Sequence, residues 1–275
     1  MKKRMETLFA VAVAAVMVAA GTVACSKDSD TAAATGNGGN SGGSTPVAVD
    51  TAEWVDLGLP SGLLWARCNL GASAPEASGD YYAWGETSPK SSYIWDTYRF
   101  ADGSKDQLTK YCNDTAYGSN GFTDSLRALE AIDDAATRAL GGGARIPTKD
   151  EWKELLANTT SSWTTVNDVK GRLLTGSNGH TLFLPASGFH GNLGLLGTGT
   201  TGNYWASTLY EGNPSRAYDC YISSGSQVVD GDLRNYGMQV RPVSSAHIIR
   251  KTKCTKKRDN LSREKNEMYI FCHTH

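Results

Sequence analysis

Residues 31–50, TAAATGNGGNSGGSTPVAVD, contain no aromatic residue, leucine, isoleucine or methionine. Such a stretch buries too little apolar surface to offset the entropy of ordering its backbone, so it reads as a flexible tether. Anything able to build a core must follow it. All seven tryptophans do, beginning with Trp54. The 30 glycines of the chain point the same way, to short strands and long loops around aromatic side chains rather than a helical bundle.

The segment before the tether is an address. Lys2, Lys3 and Arg4 precede an apolar run from Leu8 to Ala20, short for a membrane span, and small residues lead to Cys25. Residues 1–24 are therefore expected to be a secretory signal. The cysteine directly after Ala24 resembles a lipoprotein processing site, which implies Cys25 as the lipidated N-terminus and an outer-membrane lipid anchor. The cluster SKDSD behind it resembles a surface-export signal, so a cell-surface location is expected. Residues 25–51 are the tether.

Charge divides the rest. Residues 25–243 hold 16 Lys/Arg and 24 Asp/Glu, net −8, whereas residues 244–275 hold eight Lys/Arg and three acids, net +5. An acidic body repels a phosphate backbone, which argues against nucleic acid as a partner. The basic tail, 244–275, is expected to be a disordered appendage.

Within the body, strands are expected near Val55–Leu57, Leu63–Cys68 and Ser78–Glu86. A helix is expected from Asp124 to Leu140. Leu126, Leu129, Ile132, Ala136 and Leu140 recur at helical spacing, and Gly141 follows. A second helix starts at Thr148, where Thr148 and Glu151 form a capping box and Trp152, Leu155 and Leu156 face inward. Ser177-Asn178-Gly179 marks a hairpin turn between two apolar strands. The last hairpin is read as Ala217–Ser223 and Val228–Asp230, and a final strand ends at Val243. Along Ala217–Ser223, period two puts Tyr218, Cys220 and Ile222 on a core face, leaving Asp219 and Tyr221 outward. Strands with two helices between them make the fold class α+β with antiparallel hairpins and long loops.

Six blocks occur in order: WVDLGLPSGLLWARCNLGA, GDYYAWGE, DDAATRALGGGARIPTKDEW, LFLPASGF, YWAS and VRPV. Together they resemble the Fibrobacter succinogenes major paralogous domain, over residues 52–243. The resemblance implies a C-type-lectin-like fold, similar in outline to sulfatase-modifying enzymes and to the variable proteins of diversity-generating retroelements. One departure is Ala144, where the family often carries a tryptophan. In the variable proteins the diversified segment lies just before the last strand, which here is the final hairpin and its preceding loop. The expected contact residues for a glycan or protein ligand are Tyr204, Tyr210, Asn213, Arg216, Asp219, Tyr221, Asp232, Arg234 and Tyr236.

Other chemistries find less in the sequence. The calcium tripeptides of sugar-binding lectins are missing, and DGDLRN (Asp230–Asn235) puts Arg234 where a calcium loop needs a ligand. No metal site and no cofactor are expected. GTGTTG (Gly197–Gly202) matches a nucleotide-loop pattern but opens no helix. Cys220 is the one cysteine in the region where sulfatase-modifying chemistry needs a pair, so Cys220, like Cys68, is expected to be a buried packing thiol. A non-catalytic binding domain is the leading expectation. A structural envelope or fimbria-associated component and a degenerate sulfatase-modifying enzyme are the alternatives.

Overall fold

The computed structural model describes residues 53–141 and 143–245. The signal segment 1–24, Cys25, the rest of the sequence before Glu53 and the tail beyond Ser245 lie outside the described residues. The described part holds two helices, α1 (Ala135–Leu140) and α2 (Lys149–Ala157), and eleven strands in four small antiparallel sheets. The α+β reading therefore stands at that level.

The described residues close on themselves near Trp54 and Ser245. β1 (Trp54–Asp56) and β2 (Leu63–Ala66) form a hairpin, and β11 (Val243–Ser245) pairs with the other edge of β2. The last strand thus begins where the sequence reading ended it, and Ser244 belongs to the fold rather than to the tail. Residues 236–242 make only isolated bridges, Gly237 to His190, Met238 to Tyr82 and Gln239 to Tyr204.

α2 forms where expected. Thr148 accepts from the Glu151 amide while Glu151 reaches back to the Thr148 amide. This reciprocal cap satisfies two backbone donors that no helical carbonyl can reach. Arg145 holds the Glu151 carboxylate from the other side and keeps it below the usual carboxylate range despite burial. Trp152 and Leu155 are fully buried and pack with Trp65, Tyr204, Cys220 and Ile222.

The first helix is much shorter than its apolar spacing suggests. Residues 124–134 are irregular because their backbone is engaged elsewhere. Leu129 N donates to Ser207 O, and Leu209 N to Arg127 O. Asp124 does not cap a helix; its carboxylate accepts from the amides of Tyr111 and Leu126. Asp134 is the true N-cap, accepting from Thr137 N and also from Ile146 N. Ile132 and Leu140, counted in the stripe, are exposed.

Four further differences follow. Residues 78–86 form no strand, although Tyr82, Ala83 and Trp84 are buried as core. β3 (Thr159–Val166) was not anticipated; it pairs with β4 (Val169–Gly176), which pairs in turn with β5 (Thr181–Pro185) around the expected turn. The stretch after Phe189 contains a small hairpin, β6 (Phe189–Gly191) and β7 (Gly194–Leu196). Cys68 is only half-buried, while Cys220 is fully buried; both thiols are free.

Two buried arginines fasten the loop-rich half. The Arg234 guanidinium donates from Nε to Tyr98 Oη at 2.9 Å, and from its two terminal nitrogens to the carbonyls of Tyr111, Pro214 and Lys110 at 2.8–3.0 Å. It lies over the Trp84 ring, 4.9 Å from the centroid. Arg241 donates to the carbonyls of Ala66, Arg67 and Phe183. A planar fork with five donors suits such scattered carbonyls as an ammonium does not.

Candidate functional site

The sheet expected to carry the site has β9 (Arg216–Ser223) at its centre, with β8 (Thr201–Leu209) and β10 (Gln227–Leu233) on either side. Directly paired residues share a face of an antiparallel sheet. Asn203, Tyr221 and Val228 therefore lie in one row, and Trp205, Asp219 and Asp230 in the next. The opposite face carries Tyr204, Cys220 and Val229 in one row and Tyr218 with Gly231 in another, and packs with α2.

Three of the nine expected contact residues are interior. Tyr204 is 0% exposed, its hydroxyl donating to Pro185 O at 2.6 Å. Arg234 is 0% exposed and spends its donors as described above. Asp219 is 3% exposed, lying in its row between buried Trp205 and exposed Asp230. Tyr204 and Arg234 are thus corrected from contact residues to packing residues. Asp219 belongs to the Tyr221 face by register but is buried there.

The remaining six are half-buried, but they do not form one surface. Tyr210 folds to the α2 side, its ring 4.8 Å from that of Tyr218 and against the backbone of Gly231, where any Cβ would overlap it. Lys149 Nζ sits 4.8 Å from the Tyr218 ring centroid and is paired with Glu211. Asn213 is a turn residue. Its Oδ1 accepts from Ser215 N at 3.0 Å and from Ser215 Oγ at 2.7 Å. By register Tyr221 and Asp232 belong to the other face, whereas Arg216, opposite Leu233, falls in step with Tyr218, and Tyr236 lies beyond the strand. Arg216 donates to Gly231 O at 3.3 Å and acts electrostatically on Asp219, Asp232 and Tyr236. The Tyr236 ring lies 5.4 Å from that of Phe189.

The structure adds Val228 and Asp230, both exposed beside Tyr221 and Asp219. Their alternation in QVVDGDL was a legible signal. It also adds Asn203, buried behind Tyr221, whose Nδ2 donates to Asp219 Oδ2 at 3.0 Å. Burial, with Asp232 and Asp230 nearby, pushes the Asp219 carboxyl well above the ordinary carboxylate range, against the lowering effect of Asn203 and Arg216. Burial also raises Asp232, which a backbone hydrogen bond from Leu233 and the charge of Arg216 partly offset.

Cys220 belongs to the covered α2 side, and burial pushes its thiol well above the usual range, away from a reactive thiolate. Gly197–Gly202 is a tight turn running into β8, with positive φ at Gly197 and Gly199. His190 is half-buried between the rings of Tyr81 and Tyr93, its pKa lowered by burial. Among the described residues no group of three or more His, Cys, Asp or Glu is placed to hold a metal ion. No helix among them is long and apolar enough to cross a membrane.

No family model, no curated protein and no solved structure matches the chain.

Proposed function

We propose that this chain is a surface-exposed outer-membrane lipoprotein, anchored through Cys25, whose folded part is a C-type-lectin-like major paralogous domain binding a glycan or a protein without catalysis. The ordered sequence blocks support the family, and the leader and Cys25 support the anchor. The observation that carries the binding reading is the open face of the last sheet. There Tyr221, Val228, Asp230 and Asp232 stand partly or fully exposed on two adjacent strands, backed by buried Trp205 and Asp219. A half-exposed aromatic ring with nearby acceptors, on strands fixed by a packed interior, is a low-entropy contact surface. The test is a glycan array and a cell-surface pull-down with the lipid-free full chain, comparing it with Tyr221→Ala and Asp230→Lys. Capture lost in both variants supports the face; capture unchanged in both sinks it.

One observation favours a second reading, a structural envelope or fimbria-associated component. Leu193, Leu195 and Leu196 are all exposed on the β6–β7 hairpin. Three exposed leucines within four residues suit a permanent contact with another subunit. Recovery of the chain in large surface complexes, lost on Leu195→Ser, would favour assembly over ligand capture.

A further inference from the structure

The triplet Ser-Asn-Gly occurs twice among the described residues, at Ser119–Gly121 and at 177–179. An asparagine followed by glycine is open to attack on its own side chain. Glycine has no Cβ to shield its amide nitrogen, and its backbone turns freely. The nitrogen bonds to the asparagine carboxamide carbon, the Cγ–Nδ2 bond breaks, and ammonia leaves with the amide proton. Water then opens the cyclic imide at either carbonyl, giving an aspartyl or an isoaspartyl residue. The net change is one water consumed, one ammonia released and one carboxylate gained. Because the triplets are identical, the immediate sequence does not separate the two sites, and any difference between them belongs to the fold.

Much of the setting is shared. Asn120, Gly121, Asn178 and Gly179 are all exposed. Gly121 N donates to Gly118 O and Gly179 N to Gly176 O, both at 3.0 Å. Both glycines have positive φ, and no described atom lies within 4 Å of where a Cβ would stand on either. Attack therefore breaks the same backbone hydrogen bond at each site and meets the same open space.

The asparagine side chains differ. Asn178 is held at both ends of its carboxamide. Its Nδ2 donates to Asp56 O at 2.7 Å, and its Oδ1 accepts from His180 N at 3.1 Å. The group also packs over Gly58, where an added Cβ would stand 3.5 Å from Asn178 Cγ. Turning this carboxamide toward Gly179 N breaks both bonds and detaches the turn from the end of β1. The Asn120 side chain has no hydrogen bond to another described residue. Its backbone stands in the left-handed region, φ 51° and ψ 33°, which asparagine tolerates better than most residues. No hydrogen bond holds its carboxamide away from Gly121 N.

We propose that Asn120 is a site of spontaneous deamidation, where the folded chain gains a carboxylate next to exposed Phe122, and that Asn178 is protected by its two side-chain hydrogen bonds. Two hydrogen bonds of ordinary net strength correspond to a rate ratio on the order of tenfold.

The test incubates the lipid-free full chain at pH 8 and follows the peptides containing Asn120 and Asn178 by mass spectrometry, with isoaspartate resolved by chromatography. The Asn120 peptide should convert from amide to acid about tenfold faster than the Asn178 peptide and yield isoaspartate. In concentrated guanidinium chloride the two rates should converge, since the triplets are the same. Equal rates in the folded chain, or faster conversion at Asn178, overturn the proposal. So does a difference that persists undiminished in denaturant, because it would then come from flanking sequence rather than from the fold.

Discussion

The two faces of β9 obey different rules. On the α2 side, Cys220 and Ile222 are buried against Trp152 and Leu155, as an alternating strand over a helix should be. On the other side Ala217 and Asp219 are buried too, with Trp205, and only Tyr221 and Ser223 reach solvent. A strand buried on one face and covered over part of the other loses the link between alternation and exposure. The first face is held by apolar packing. The second rests on a loop-rich half fastened by polar side chains and Arg234.

The largest effect is expected where the polar half is cut. Arg234→Ala removes four hydrogen bonds and leaves the carbonyls of Tyr111, Pro214 and Lys110 short of donors, costing on the order of 4 kcal/mol. Arg234→Lys should recover little, since a point charge does not span acceptors spread in a plane. Thermal unfolding of both variants checks this; a lysine variant near wild type would show that charge alone suffices. On the apolar side, Ile222→Ala should cost about 3 kcal/mol through lost burial and the cavity left beneath α2. Near-neutral behaviour in denaturant melts would mean the α2 face is loosely packed.

Asp219 supplies a finer test, with a defined sign. Its folded-state pKa is raised, so ionisation is penalised in the fold more than in the unfolded chain. Wild-type stability should therefore fall as pH rises from the ordinary carboxyl range through the raised value, then level off. Asp219→Asn keeps an acceptor for Asn203 Nδ2 and removes the charge. The variant should be more stable than wild type at pH 8, with the gain vanishing near pH 4. Denaturant midpoints at the two pH values decide it. A variant less stable at pH 8 would show that the ionised carboxylate is satisfied in the fold.

The same division explains what the sequence could show. The α2 cap was legible because Thr148 and Glu151 are three residues apart and satisfy each other. The final hairpin was legible from the period-two alternation of Ala217–Ser223. The 124–134 segment misled because its helical spacing is local, while Leu129 and Arg127 are hydrogen-bonded to residues about 80 positions away. Arg234 misled for the same reason. Tyr98 and Tyr111, which make it interior, lie more than 120 residues earlier. Half-exposed Tyr221 and buried Tyr204 look alike in sequence, since both sit in alternating strands. Only the covering of the second face separates them.

Tyr221 is where the comparison has its smallest effect on stability and its sharpest effect on function. Its neighbours across the sheet are Asn203 and Val228, and the ring is half-buried. Truncation to alanine removes a cross-strand contact worth up to about 1 kcal/mol, far below the loss expected at Arg234. If the open face is the contact surface, Tyr221→Ala should abolish capture of the cell-surface ligand while leaving the melting curve almost unchanged. Tyr210→Ala serves as the matched control, since Tyr210 stacks on Tyr218 on the α2 side. It should lower stability by a comparable amount and leave capture intact. Equal loss of capture in both would place recognition on the hairpin edge common to the two faces. Loss at Tyr210 alone would move the site to the α2 side, beside Lys149 and Glu211.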